Sequence, residues 1–217
     1  MATRGLFITV EGGEGVGKST NIAYLEQQLT GQGVELLVTR EPGGSVLGER
    51  VRQLLLAVDD EAIDPMAELL LVFAARAQHI HTRIEPALAA GKWVLCDRFT
   101  DATYAYQCGG RGIDRAAVSA LEQLVQGELR PDCTLLLDAP VATGMARAQG
   151  RGELDRFERE ELAFFERVRA TYLELAELSS GRYRIIDAGQ SLDKVQEQLR
   201  KVCTELTECW GVRHTDP

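Results

Sequence analysis

No Cys-x-x-Cys pair occurs among the five cysteines, Cys96, Cys108, Cys133, Cys203 and Cys209. Their number is odd, so a complete disulfide framework is excluded, and free thiols in a reducing compartment are expected. Cys96 and Cys133 fall inside apolar, strand-like runs. Basic residues are in deficit: 24 Lys and Arg stand against 33 Asp and Glu, a net charge of −9. A general nucleic-acid binder carries a basic surface, so that class is excluded. No apolar run approaches the length of a membrane span. The segment from Met1 to Gly13 leads directly into a strand-like run, and no signal peptide is expected. The expected compartment is the cytosol. Histidine is scarce, and His79 and His81 lack a neighbouring nucleophile or a metal-ligand pattern. They are expected to pack or to lie at the surface. No internal repeat, low-complexity stretch or linker interrupts the chain, so its 217 residues are expected to form one domain.

What is present is ordinary for a globular protein: 45% hydrophobic and 26% charged residues. Five short apolar runs read as strands: Leu6–Val10, Glu35–Thr39, Trp93–Asp97, Thr134–Asp138 and Tyr183–Asp187. Segments of helical length separate them. In the last, Leu192, Val195, Leu199, Val202, Cys203 and Leu206 share one face. This alternation predicts an α/β fold with a five-stranded parallel sheet and helices on both faces. Ligands then gather at the carboxyl ends of the strands. The apolar stretch Pro65–Ala90 reads as a long helix, fit either for an interface or for burial within one chain. The tail from Gly211 to Pro217 is expected to fray.

The first chemistry lies at Gly12 to Ser19, GGEGVGKS, which fits G-x-x-x-x-G-K-[ST] between a strand and a helix. Backbone N–H groups of Gly12, Gly13, Glu14, Gly15, Val16, Gly17, Lys18, Ser19 and Thr20 can line a phosphate-binding loop. Lys18 can reach the β- and γ-phosphates, and the Ser19 hydroxyl can ligate Mg²⁺. The chain is therefore expected to bind a nucleoside triphosphate in a P-loop NTPase fold. A strand ends at Asp97-Arg98, which places a carboxylate for Mg²⁺ and an arginine for a phosphate beside that loop. The segment GRGELDRFE offers Arg151 and Arg156, with Arg147 just upstream. In an acidic chain, three arginines near glycine suggest a mobile lid over phosphates at about 147–158. Taken alone, Arg40-Glu41-Pro42-Gly43-Gly44 reads as a turn, and Phe73 reads as core.

Together, GGEGVGKST, REPGG with Glu49-Arg50-Val51-Arg52, FAARAQH, DRFTDATYAYQCGGRG and RGELDRFE resemble the bacterial thymidylate kinases. Order and spacing match from Gly5 to about Gly189. The DR–TYAYQ–GGRG block and the lid carry most of the specificity. The resemblance implies transfer of the ATP γ-phosphoryl to dTMP, with Mg²⁺, by a homodimer that binds neither nucleic acid nor membrane. By position it implies that Glu14 contacts the sugar 3′-hydroxyl and that Arg52 and Arg98 contact phosphate. Arg76, Thr103 and Gln107 would face the thymine edge. Tyr106 would crowd the sugar 2′ position, and Arg147 would lie against adenine. Glu41 and Asp97 would lie near metal and phosphates. Phe73 would stack on thymine, although the family spacing to Arg76 falls on Val72. Some members carry a catalytic arginine in the P-loop, where this chain has Gly15. The basic residue is in the lid here, at Arg151, so the lid-arginine type is expected, with Lys18, Arg98 and Arg151 as the catalytic cations. The alternatives are a P-loop nucleotide or nucleoside kinase with another acceptor, and a nucleotide-dependent switch.

Overall fold

The computed structural model describes residues 4–58, 61–149, 155–179 and 181–214. Five strands, β1 (Phe7–Glu11), β2 (Leu36–Arg40), β3 (Trp93–Asp97), β4 (Cys133–Asp138) and β5 (Tyr183–Asp187), form one sheet in the order β2-β3-β1-β4-β5. All four pairings are parallel. Each strand begins or ends within one residue of its expected bounds.

Alternate side chains along a strand point to opposite faces, and both faces are covered. Ile8, Val10, Trp93, Leu95, Leu135 and Leu137 meet Leu25 and Leu29 of α1 (Lys18–Gly31) and Val195 and Leu199 of α9 (Leu192–His214). On the other face Phe7, Val94 and Cys96 meet Ile80, Ile84, Leu88 and Phe99. Further along that face, Leu136 joins Phe164, Val168 and Tyr172 of α8 (Leu162–Leu178). The predicted stripe of α9 is buried from Val195 to Cys203, while Leu192 in its first turn is exposed. The backbone helix continues to His214, so fraying does not begin at Gly211. All five thiols are free, and those of Cys96, Cys133 and Cys203 are buried.

Helix starts follow local chemistry. The Ser45 hydroxyl caps α2 (Val46–Leu56) by accepting from the Gly48 N–H at 3.0 Å. Asp64 caps α3 (Pro65–His79) through the Met66 N–H, with Pro65 at the first helical position. A π-helical stretch, Ile80–Ile84, links α3 to α4 (Glu85–Ala89). It ends two residues before Pro86, which has no N–H to donate. The long helix expected over Pro65–Ala90 is thus present with this one irregularity, and much of its length is core. After β3, α5 (Thr100–Thr103) runs into a second π stretch, Tyr104–Gly110. Gly110 lets that stretch press onto α8, since a Cβ there would sit 2.4 Å from the Phe164 ring. The remaining helices are α6 (Arg115–Gln126) and α7 (Val141–Gln149).

Candidate active site

The loop after β1 folds back with Gly15 and Gly17 at positive φ, and Gly17 opens α1. Gly15 has no room for a side chain: a Cβ would fall 1.8 Å from the Gly144 carbonyl oxygen of α7. Lys18 Nζ donates to the carbonyls of Gly12 (3.1 Å) and Gly13 (2.8 Å), which holds its ammonium over the loop. Burial, then Arg98, pushes that ammonium below its usual range. Arg52 is likewise pushed down, first by burial and then by Arg40 and Arg98. Cations held close enough to repel one another, in a chain of net −9, mark an anion site.

A cavity of about 250 Å³ opens beside the loop. Glu14, Lys18, Ser19, Arg52, Val72, Arg76, Asp97, Arg98, Thr103, Tyr106, Gln107 and Phe157 are among its lining residues. Arg98 follows β3 in the left-handed region, φ 68°, unusual for a side chain this size and typical of functional sites. Its Nη2 donates to Glu14 Oε1 at 2.6 Å, and its guanidinium lies 4.6 Å from the Tyr106 ring centroid. The Tyr106 hydroxyl donates to the same Glu14 oxygen at 2.8 Å.

Arg76 is fully buried. Its Nε donates to Glu41 Oε2 (2.7 Å) and its Nη2 to Thr103 Oγ1 (3.0 Å). Its Nη1 is buried with no partner among the described residues. Glu41 also lines the cavity, where its carboxylate is bonded to Arg76 and to His79 Nδ1 at 2.8 Å and so orients this arginine. His79 is a buried packing histidine, also bonded to Thr39, and His81 is exposed, both as expected. Gln107 Nε2 donates to buried Glu68, which also meets Arg156 Nη2 at 2.5 Å.

Phe73 does not reach the cavity. It packs with Leu69 and Val118, its ring 4.8 Å from the Arg76 guanidinium, while Val72 lines the wall. The stacking expectation is therefore corrected: adjacent helix positions differ by about 100° in direction, and the cavity selects Val72. Arg147 is exposed and donates to the Ala188 carbonyl at 2.9 Å. Arg156 is held by Glu68 and the Leu55 carbonyl. Arg151 lies outside the described residues, as does the core of the expected lid.

Behind the site sits Glu11, completely buried at the end of β1. No motif had pointed to it, nor to Tyr172 and Glu68. Glu11 accepts from the Tyr172 hydroxyl (2.8 Å) and the Phe99 N–H (2.7 Å), and Tyr172 in turn meets Arg98 at 3.4 Å. Burial, then Asp101, pushes the Glu11 carboxyl from 4.5 up to about 8, against the opposing pull of Arg98 and these hydrogen bonds. Between these values the folded chain keeps a proton that the unfolded chain has shed, so stability falls as pH rises through the window. Thermal melts from about pH 5 to 8 should show that decline. Glu11→Gln, neutral throughout, should flatten it; an unchanged slope would contradict the assignment.

A parallel sheet with a phosphate loop after β1, a strand-end acid and arginine beside it, and an adjoining cavity define a P-loop kinase of small molecules. The thymidylate kinase family model matches residues 10–199, and the chain belongs to that family. A thymidylate kinase of Pseudomonas syringae pv. tomato is 61% identical over 204 residues, 94% of this chain and 97% of that one. That of Alcanivorax borkumensis is 53% identical over 206 residues, 95% and 99% of the two chains. The solved thymidylate kinase of Ehrlichia chaffeensis superposes with a TM-score of 0.73 at 32% identity, over 92% of this chain and 98% of that one.

Proposed function

We propose that this chain transfers the γ-phosphoryl of ATP to dTMP, giving ADP and dTDP, with the base of dTMP held in the cavity. One observation carries the acceptor: Arg76 Nη1 is buried in the wall of that cavity without a partner among the described residues. A buried guanidinium donor left unpaired is costly, so a ligand acceptor is called for. The O4 atom of thymine supplies one. Arg52 and Arg98 then receive the dTMP phosphate, and the Glu14 carboxylate takes the sugar hydroxyl. Tyr106, which is held in place by Glu14 and lies against Arg98, supports rejection of a 2′-hydroxyl.

The P-loop receives ATP, with Lys18 on its β/γ-phosphates. Mg²⁺ is implied by the family. Asp97 Oδ1 is buried without a partner among the described residues, and Ser19 lines the same cavity, so the two fit the ion. Among the described residues no cluster of three or more His, Cys, Asp or Glu could hold a metal. That suits an ion that takes most of its ligands from phosphates and water. Bound there, it neutralises phosphate charge. The protein's share of the chemistry is alignment of the two nucleotides and stabilisation of charge by Lys18, Arg98 and Arg151. One domain with a lid at about 147–158, a cytoplasmic location and a homodimer belong to the same proposal. No helix among the described residues is long and apolar enough to cross a membrane. Exposed Met66 and Leu70 on α3 and Leu124 on α6 support self-association.

The test is ADP formation from ATP with and without dTMP. Turnover should require the acceptor. Equal hydrolysis in its absence would favour a switch instead.

A further inference from the structure

We infer that Glu68 is a positioning residue for base selection: it turns the Gln107 amide so that Oε1, and not Nε2, is offered to the base. The inference rests on the reading that the acceptor's base occupies this cavity. Glu68 is completely buried in the first turns of α3. Its Oε1 accepts from Gln107 Nε2 at 2.8 Å and from Arg111 Nε at 3.4 Å. Its Oε2 accepts from Arg156 Nη2 at 2.5 Å and from Arg111 Nη2 at 3.4 Å. Two guanidinium groups therefore face one carboxylate.

That environment decides the orientation of the amide. An ionised carboxylate only accepts, while an amide has a donor end and an acceptor end. Turned the other way, Gln107 would set oxygen against oxygen in a buried site. With Nε2 on Glu68, Oε1 is left for the cavity that Gln107 lines. The wall then carries a donor, Arg76 Nη1, and an acceptor, Gln107 Oε1. Thymine presents O4, an acceptor, and N3–H, a donor, along one edge. Cytosine presents an amino group and a bare N3 in the same places. It would meet donor with donor and acceptor with acceptor.

Glu68→Gln is nearly isosteric and tests this. The introduced amide offers both a donor and an acceptor, so Gln107 can sit either way round. The ratio of kcat/KM for dTMP to that for dCMP should fall about tenfold or more. A merely structural role would lower both values together and leave the ratio unchanged; that result overturns the inference. A measurement on the unsubstituted chain covers the case in which Glu68→Gln does not fold. With ¹⁵N-labelled dTMP bound, the N3–H proton should give a slowly exchanging imino resonance, because it donates to Oε1. Loss of that resonance with dTMP demonstrably bound also overturns it. If the unsubstituted chain phosphorylates no dTMP, the functional reading fails. If it does, and the ratio survives Glu68→Gln, only the role of Glu68 fails.

Discussion

Lys18→Ala should lower dTMP-dependent ADP formation by about 10³ or more while the fold survives. The ammonium is the P-loop side chain placed for the β/γ-phosphates, and Gly15, Val16 and Gly17 supply no cation. Among the described residues its hydrogen bonds go to carbonyls of its own loop, Gly12 and Gly13. Burial, then Arg98, pushes its ammonium down against the pull of Glu14, Asp97 and Glu11, so the folded chain gains little from that charge. The melting temperature should therefore stay within about 4 °C of the parent, the shift expected for roughly 1 kcal/mol in a chain of this size. A rate near that of the parent would remove the P-loop from the mechanism. A large loss of Tm would make Lys18 a structural residue.

Arg151→Ala should lower kcat by a factor on the order of 10³ and hardly change the dTMP dissociation constant. The expectation comes from the sequence, and the geometry of the neighbouring positions supports it. A P-loop arginine at position 15 is barred by φ +67° and by the Gly144 carbonyl. Arg147 is bonded to the Ala188 carbonyl, and Arg156 to Glu68 and Leu55. Arg151 is the remaining lid arginine for charge that develops during transfer. A residue engaged mainly in the transition state changes kcat more than ground-state binding. Arg151→Lys should recover only part of the rate, because an ammonium lacks the planar two-donor fork. Single-turnover rates and dTMP titration decide the matter. A rate within a few-fold of the parent would leave Arg151 as surface charge.

The sheet was legible because parallel strands buried on both faces leave continuous apolar runs. Val94, Leu95 and Cys96 needed no pairing information to be recognised. The P-loop was legible because the chemistry of the loop is local in sequence. Side chains whose roles depend on distant partners were not. Glu68 lies 88 residues from Arg156 and 39 from Gln107, and a glutamate on a helix reads as a solvated charge. Its spacing did contain a signal: Glu68, Val72 and Arg76 recur every four residues and share the face of α3 that meets the site. Glu11 was hidden for the opposite reason, since it ends an apolar strand as though it were the first loop residue. For Glu41 the motif suggested a place near metal and phosphates but not its side-chain partners. Those partners, Arg76 and His79, are 35 and 38 residues away. The choice between Val72 and Phe73 turns on helix phase against one cavity wall, which spacing to Arg76 leaves open.

The most direct test of the proposed activity is an acceptor panel: dTMP, dUMP, dCMP and AMP at equal concentration, with ATP and Mg²⁺, followed as phosphorylated product. A wall with the Arg76 donor and the Gln107 acceptor predicts that dTMP is phosphorylated fastest. dUMP shares that hydrogen-bonding edge and should follow, with dCMP and AMP far behind. Preferred turnover of dCMP or AMP would contradict the reading of the cavity as the thymine site.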